Sequence, residues 1–247
     1  MNVKQYLDST YLKTASQAGL TEAENKVVVK DAIAEAIQEG FKLIMIRPEF
    51  VILAKEMILK ANSTLLVGTV IDFPEGKSSI EVKIKEANDA IENGADDLDF
   101  VCNYEAFKKG DAALLKQEIL FGTQIGLAHN KTVKWIIEVA ALTDKEIIQL
   151  STLIKNVVMS SFKEEDYSSV FVKSSTGFFK TEDGAPNGAT IPTIIMMLEN
   201  ASPLQIKAAG GVRSYDDALE MIRLGVKRIG TSAAKSIASG QNTPNQY

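Results

Sequence analysis

A single domain built as a (β/α)8 barrel, the TIM-barrel architecture of the α/β class, is the fold the sequence predicts. Three observations predict it. Apolar strand-like runs alternate with helical patterns along the whole chain, eight such runs can be counted, and 247 residues of 45% apolar and 24% charged composition suit one unit of this kind.

The strand runs fall at residues 6–9, 42–47, 65–72, 97–103, 133–139, 170–175, 204–209 and 228–231. The first is short and lies beside the N-terminus, where four residues could equally form a turn. Helix starts separate the runs. Ser or Thr followed three residues later by an acid can satisfy the free amides of a first turn, and the pairs Thr21/Glu24, Ser78/Glu81, Thr143/Glu146 and Ser214/Asp217 have that spacing. Pro48 suits the first turn of another helix. After Ser78, the residues Ile80, Ile84, Ala87 and Ile91 recur at helical spacing before Gly94 ends the run. The barrel is expected over 1–238, with a polar tail (SGQNTPNQY) at 239–247. The segment 178–189 (FFKTEDGAPNGA) reads as a long loop on the C-terminal face, where barrels carry their sites.

Composition excludes several function classes. A formal net charge of -5 does not give the basic surface that nucleic acid or an anionic membrane needs, although it leaves room for a small anionic substrate. The single cysteine, Cys102, has no partner for an internal disulfide. The N-terminus lacks a basic region followed by an apolar run, and no stretch approaches the roughly 20 apolar residues of a membrane span. A cytoplasmic protein is expected.

Strand alternation assigns directions to the polar residues. Asp97 and Asp99 share the inner side, as do Lys134 and Glu138, opposite Trp135 and Ile137; Lys173 opposes its neighbouring valines, and Lys207 opposes Ile206. Charges from four strands then converge inside the barrel, where they must be paired, shifted in pKa or open to a wet cavity. A salt-bridged polar plug is one outcome and an active site the other. Two lysines on adjacent strands about 4.8 Å apart would repel, so one would tend to lose its proton, and a neutral amine can attack a carbonyl. Glycines and hydroxyls at the ends of the last three strands (Ser174-Ser175-Thr176-Gly177, Gly210-Gly211, Gly230-Thr231-Ser232) suit a phosphate. An isomerase or epimerase using Asp99 and Glu138 as acid and base, and a silent sugar-phosphate-binding barrel, are both open from the residues.

The chain resembles the deoxyribose-phosphate aldolase family in motifs spread through most of its length. Asp8-Ser9-Thr10-Tyr11-Leu12 is similar to D-x-T-x-L, and Val70-Ile71-Asp72-Phe73-Pro74-Glu75-Gly76 to V-x-x-F-P-x-G. Gly94-Ala95-Asp96-Asp97-Leu98-Asp99 resembles G-A-D-E-I/V-D, Val172-Lys173-Ser174-Ser175-Thr176-Gly177 resembles I/V-K-T-S-T-G, and Ile206-Lys207-Ala208-Ala209-Gly210-Gly211-Val212-Arg213 resembles V-K-x-A/S-G-G-I/V-R. The resemblance implies reversible cleavage of 2-deoxy-D-ribose 5-phosphate to acetaldehyde and D-glyceraldehyde 3-phosphate through a lysine Schiff base, with no metal or other cofactor. It implies Lys173 as the imine-forming amine, Lys207 as the cation that lowers its pKa, and Asp99 as the proton-transfer carboxylate. Asp8 would organise the first strand end and the sugar hydroxyls, and Thr176, Gly177, Gly210, Gly211 and Ser232 would bind substrate, chiefly its phosphate. A homodimer is expected on the same ground. Departures from the family pattern are Met45 where a cysteine is frequent, Cys102 before Asn103, Ala233 in place of a second serine, and a longer loop after Gly177. His129, Trp135, Met196, Met197 and the charge runs 83–86 and 163–166 read as surface or packing.

Overall fold

The computed structural model describes residues 2–182 and 184–240, in which eight parallel strands close into one barrel in sequence order. They are β1 (Leu7–Tyr11), β2 (Leu43–Ile46), β3 (Leu66–Ile71), β4 (Asp97–Val101), β5 (Thr132–Ile136), β6 (Val170–Lys173), β7 (Gln205–Ala209) and β8 (Arg228–Thr231). Around them lie α1 (Ala15–Ala18), α2 (Glu22–Glu39), α3 (Val51–Lys60), α4 (Ile80–Glu92), α5 (Tyr104–Lys108), α6 (Ala112–Ala128), α7 (Asp144–Ser161), α8 (Ile191–Ala201), α9 (Tyr215–Leu224) and α10 (Ala234–Ala238). Among the described residues no helix is long and apolar enough to cross a membrane. Residues 241–247 of the expected tail lie outside the described residues.

Every expected strand forms, the eighth with the expected ends and the others with shifted ones. The first begins at Leu7, because residues Val3–Tyr6 make a 3-10 turn capped by Asn2. β5 stops at Ile136, short of the expected 139, because Glu138 adopts a left-handed backbone (φ 55) and the chain turns into a 3-10 segment at Val139–Ala141. The capping boxes at Thr21, Thr143 and Ser214 all form. The cap of α4 is Ser79, not Ser78: the Ser78 amide and hydroxyl both donate to Asp72 at 2.8 and 2.7 Å, which moves the helix start by one residue. Pro48 opens a 3-10 turn that leads into α3.

The outward faces of the strands pack on the helices and form the main core. Phe100 stacks on Trp135 with ring centroids 4.9 Å apart, Trp135 Nε1 donates to Thr123 Oγ1, and Gly122 on α6 leaves room for the indole. Met197 and Cys102 are buried in this layer, while His129 caps the C-terminus of α6 in an exposed position. The run 163–166 lies at the surface as expected, and so does Lys85 in the run 83–86, but Lys83 does not. Lys83 is buried, paired with Glu118 and donating to the carbonyls of Gly76 and Val101, so it ties α4 and α6 to the ends of β3 and β4. Its partner sits a helix away in α6, beyond the reach of a periodicity read on α4 alone.

The barrel interior is divided. Leu12, Leu43, Met45 and Val70 make an apolar wall on the β1–β3 side, with Gly68 giving Met45 its space. The opposite wall is charged.

Candidate active site

Lys173 is the last residue of β6, and its lateral neighbours are Ile136 on β5 and Lys207 on β7. Its Nζ lies 2.8 Å from Asp99 Oδ2. The same oxygen receives Lys207 Nζ at 2.9 Å, and Asp99 Oδ1 receives Lys134 Nζ at 2.8 Å. Lys134 reaches Asp97 at 2.7 Å, Arg228 reaches Asp97 at 2.8 Å and Asp8 at 2.7 Å, and Lys207 contacts Asp8 Oδ2 at 2.6 Å. Three carboxylates (Asp8, Asp97, Asp99) and four cations (Lys134, Lys173, Lys207, Arg228) thus form one connected cluster.

That imbalance decides the chemistry. Buried charges are tolerated when paired, and an excess cation is the group that gives up its proton at least cost. Lys134, Lys207 and Arg228 each hold two carboxylates, whereas Lys173 has one and shares it with two other lysines. Burial accordingly lowers Lys173 to about 8; Asp99 opposes the shift, and Lys207 and Lys134 add to it. Lys207 is also pulled down by burial, but Asp8 and Asp99 outweigh that and leave it raised, so it stays an ammonium. Burial pushes the Asp99 carboxyl up, yet the three lysines hold it well below the usual carboxylate range. Among the three lysines, Lys173 alone keeps some side-chain exposure, 4% against zero for Lys134 and Lys207.

The sequence expectation is altered in three respects. The cluster draws on β1, β4, β5, β6, β7 and β8 rather than four strands. Lys207 depresses the Lys173 pKa, but burial does so more strongly. Asp8 is fully buried with its oxygens beside Arg228 and Lys207, so it also braces cations inside the barrel, a part the sequence expectation did not give it. Arg228 was missed by the sequence reading. Its signal was available, since Arg228 and Gly230 alternate with outward Ile229, and Gly230 is where a Cβ would stand 3.0 Å from Lys207 Cε.

The hydroxyl- and glycine-rich strand ends share one rim. Gly177, Gly210 and Gly211 have positive φ (78°, 80° and 88°), and Ser232 is exposed at the end of β8. Ser174 Oγ donates to the Ala209 carbonyl and accepts from the Ala209 amide, both at 2.8 Å. Thr176 is buried and turns its hydroxyl to Glu138, away from the rim. The loop returns to β7 where Ala189 N donates to Gly210 O at 2.8 Å, and Gly188 lies so flat on Gly210 that a Cβ there would stand 2.5 Å from its Cα. Packed against the apolar wall of Leu12, Leu43, Met45 and Val70, Phe178 from the β6 loop meets Phe73 from the β3 end edge to face at 5.1 Å, with Arg47 over the Phe73 ring. β3 and β6 are separated by two strands, so this contact spans the mouth.

Comparison with known proteins finds relatives over nearly the whole chain. The family model described as DeoC/LacD family aldolase matches residues 5–244. A deoxyribose-phosphate aldolase of Thermococcus gammatolerans is 36% identical over 241 residues, covering 97% of this chain and 96% of its own. One from Streptococcus pneumoniae serotype 19F is 35% identical, covering 100% of both chains. Among solved structures, a tetrameric deoxyribose phosphate aldolase from Aeropyrum pernix superposes with a TM-score of 0.76 at 25% identity, covering 96% of this chain and 89% of that one.

Proposed function

We propose that this chain, which belongs to the DeoC/LacD family of aldolases and is a lyase, cleaves 2-deoxy-D-ribose 5-phosphate reversibly to acetaldehyde and D-glyceraldehyde 3-phosphate through an imine on Lys173. The observation that supports it most is that Lys173 alone in the buried cluster has a single, shared carboxylate and an amine pKa brought down to about 8.

Neutral Lys173 adds to the C1 aldehyde, the carbinolamine loses water, and the cationic imine accepts the electron pair released when the C2–C3 bond breaks. The C3 hydroxyl proton passes to a water held by Asp99, whose carboxylate Lys134 and Lys207 keep ionised, and the same water returns that proton to the enamine carbon, with the Lys207 ammonium holding it in place. Hydrolysis of the acetaldehyde imine restores the amine. Gly177, Gly210, Gly211 and Ser232 hold the phosphate at the rim, so that binding energy remote from C2–C3 sets the register of the sugar. The isomerase reading with Glu138 as base is less favoured, because both Glu138 oxygens are occupied by Ser175 and Thr176. The expected assembly is a homodimer in the cytoplasm, and light scattering of the purified protein measures the first of these.

The test is borohydride reduction in the presence of acetaldehyde or the sugar phosphate, followed by peptide mapping. A mass increase on the peptide carrying Lys173 is expected. A folded sample with no covalent adduct sinks the Schiff-base reading, and binding without turnover would leave only a silent receptor.

A further inference from the structure

Glu138 lies two residues past β5, is 1% exposed, and is one of the few non-glycine residues with positive φ (55°). A non-glycine side chain in this region is strained, and such strain persists only where surrounding contacts fix it. Here the contacts are specific. Glu138 Oε1 accepts from Ser175 Oγ at 2.7 Å, while Oε2 accepts from the Thr176 amide at 3.1 Å and from the Thr176 hydroxyl. Those two hydroxyls are passed on: Gly177 N donates to Ser175 Oγ and Phe178 N to Thr176 Oγ1, both at 3.0 Å. Ser175 Oγ also lies 2.7 Å from Asn187 O, at the other end of the loop. One buried carboxylate therefore sets four consecutive residues after Lys173 and ties the beginning of the long loop to its return.

We infer that Glu138 is a positioning residue for the phosphate end of the substrate, shaping the 175–178 backbone so that the Gly177 edge of the rim is preformed. The inference rests on the aldolase reading above and extends it to a residue that touches neither the amine nor the sugar. It gives the left-handed turn after β5 a purpose: without it, strand alternation would continue and carry the carboxylate past the loop.

Glu138→Ala and Glu138→Asp, whose shorter side chain withdraws the carboxylate from Ser175 and Thr176, are compared with the unaltered enzyme in two assays. KM and kcat are measured with 2-deoxyribose 5-phosphate, and the rate of borohydride-trapped imine formation on Lys173 is measured with acetaldehyde, which carries no phosphate. We expect at least a tenfold rise in KM for the sugar phosphate in both variants, with acetaldehyde trapping within about twofold of normal. Glu138→Gln keeps an acceptor oxygen for Thr176 and should restore KM to within about threefold, because hydrogen bonding and not charge is what the loop requires. Equal losses in both assays would place Glu138 in the support of Lys173 or of the fold, and an unchanged KM would remove its role; either result overturns the inference. Failure of the unaltered enzyme to trap acetaldehyde would instead reject the Schiff-base reading. Should Glu138→Ala not fold, Glu138→Asp alone carries the comparison.

Discussion

Lys173 concentrates the residue-scale consequences. Its amine is neutral above about pH 8, so only about a tenth is reactive at pH 7, and kcat/KM should climb between about pH 7 and 9. Lys207→Leu removes a like charge and frees Asp99 for Lys173. Both effects favour the ammonium, and the acidic limb of the pH profile should move up by one unit or more. A profile that stays in place would show that Lys207 does not tune the amine. The same pKa shift is a stability statement. Between about pH 8 and 10.5 the unfolded chain binds a proton at Lys173 that the folded chain does not, so stability rises with pH across that window and carries its full deficit below it. Lys173→Met should therefore abolish imine formation while raising unfolding free energy at pH 7 by on the order of 1–3 kcal/mol. A lower melting temperature for this variant would contradict the charge-imbalance account.

At the scale of elements, each strand was legible to within a few residues, and the misjudged ends are informative. Period-two alternation runs through Ile136, Ile137 and Glu138 without a break, so nothing local signals that β5 turns left-handed there; the turn is fixed by Ser175 and Thr176 on another strand end. Ser78 and Ser79 are equivalent as caps by spacing, and the choice is made by Asp72 at the end of β3. β8 offers a test of how closely an element is fitted to its neighbour. Gly230 pairs with Asp8 and Ala209, and a methyl there would stand 3.0 Å from Lys207 Cε and 3.4 Å from Ala209 Cβ. Gly230→Ala should cost about 1–2 kcal/mol of stability, since the site is already packed. It should also lower kcat about tenfold by displacing Lys207. Normal kcat in a melt-competent variant would show that Lys207 tolerates the shift.

Across the whole molecule, the interior charge cluster replaces part of the apolar filling usual in a barrel of this size. Its stability depends on completeness, because breaking one buried pair leaves its partner uncompensated. Arg228 joins Asp8 on β1 to Asp97 on β4 across the barrel. Arg228→Leu should lower the free energy of unfolding by about 3–5 kcal/mol in denaturant titrations, far beyond a surface pair, and a loss below about 1 kcal/mol would mean that the cluster is not cooperative. The apolar sector of Leu12, Leu43, Met45 and Val70 closes the other half of the interior. The departure at Met45 is thus accommodated by Gly68, whose missing side chain leaves the room that the methionine fills.

The number, order and direction of the strands, the capping residues Thr21, Thr143 and Ser214, and the inward placement of Asp97, Asp99, Lys134, Lys173 and Lys207 were all present in the chain as local pattern. Periodicity and capping act between near neighbours, so a reader of one segment can see them. Closure of the barrel alone decided which lysine is the weakly held one, that Arg228 and Asp8 complete the cluster, that Lys83 is buried on Glu118, and that Glu138 shapes the loop beyond Lys173. Those outcomes depend on counting charges and hydrogen bonds among groups up to 220 residues apart, a sum that no window of sequence contains.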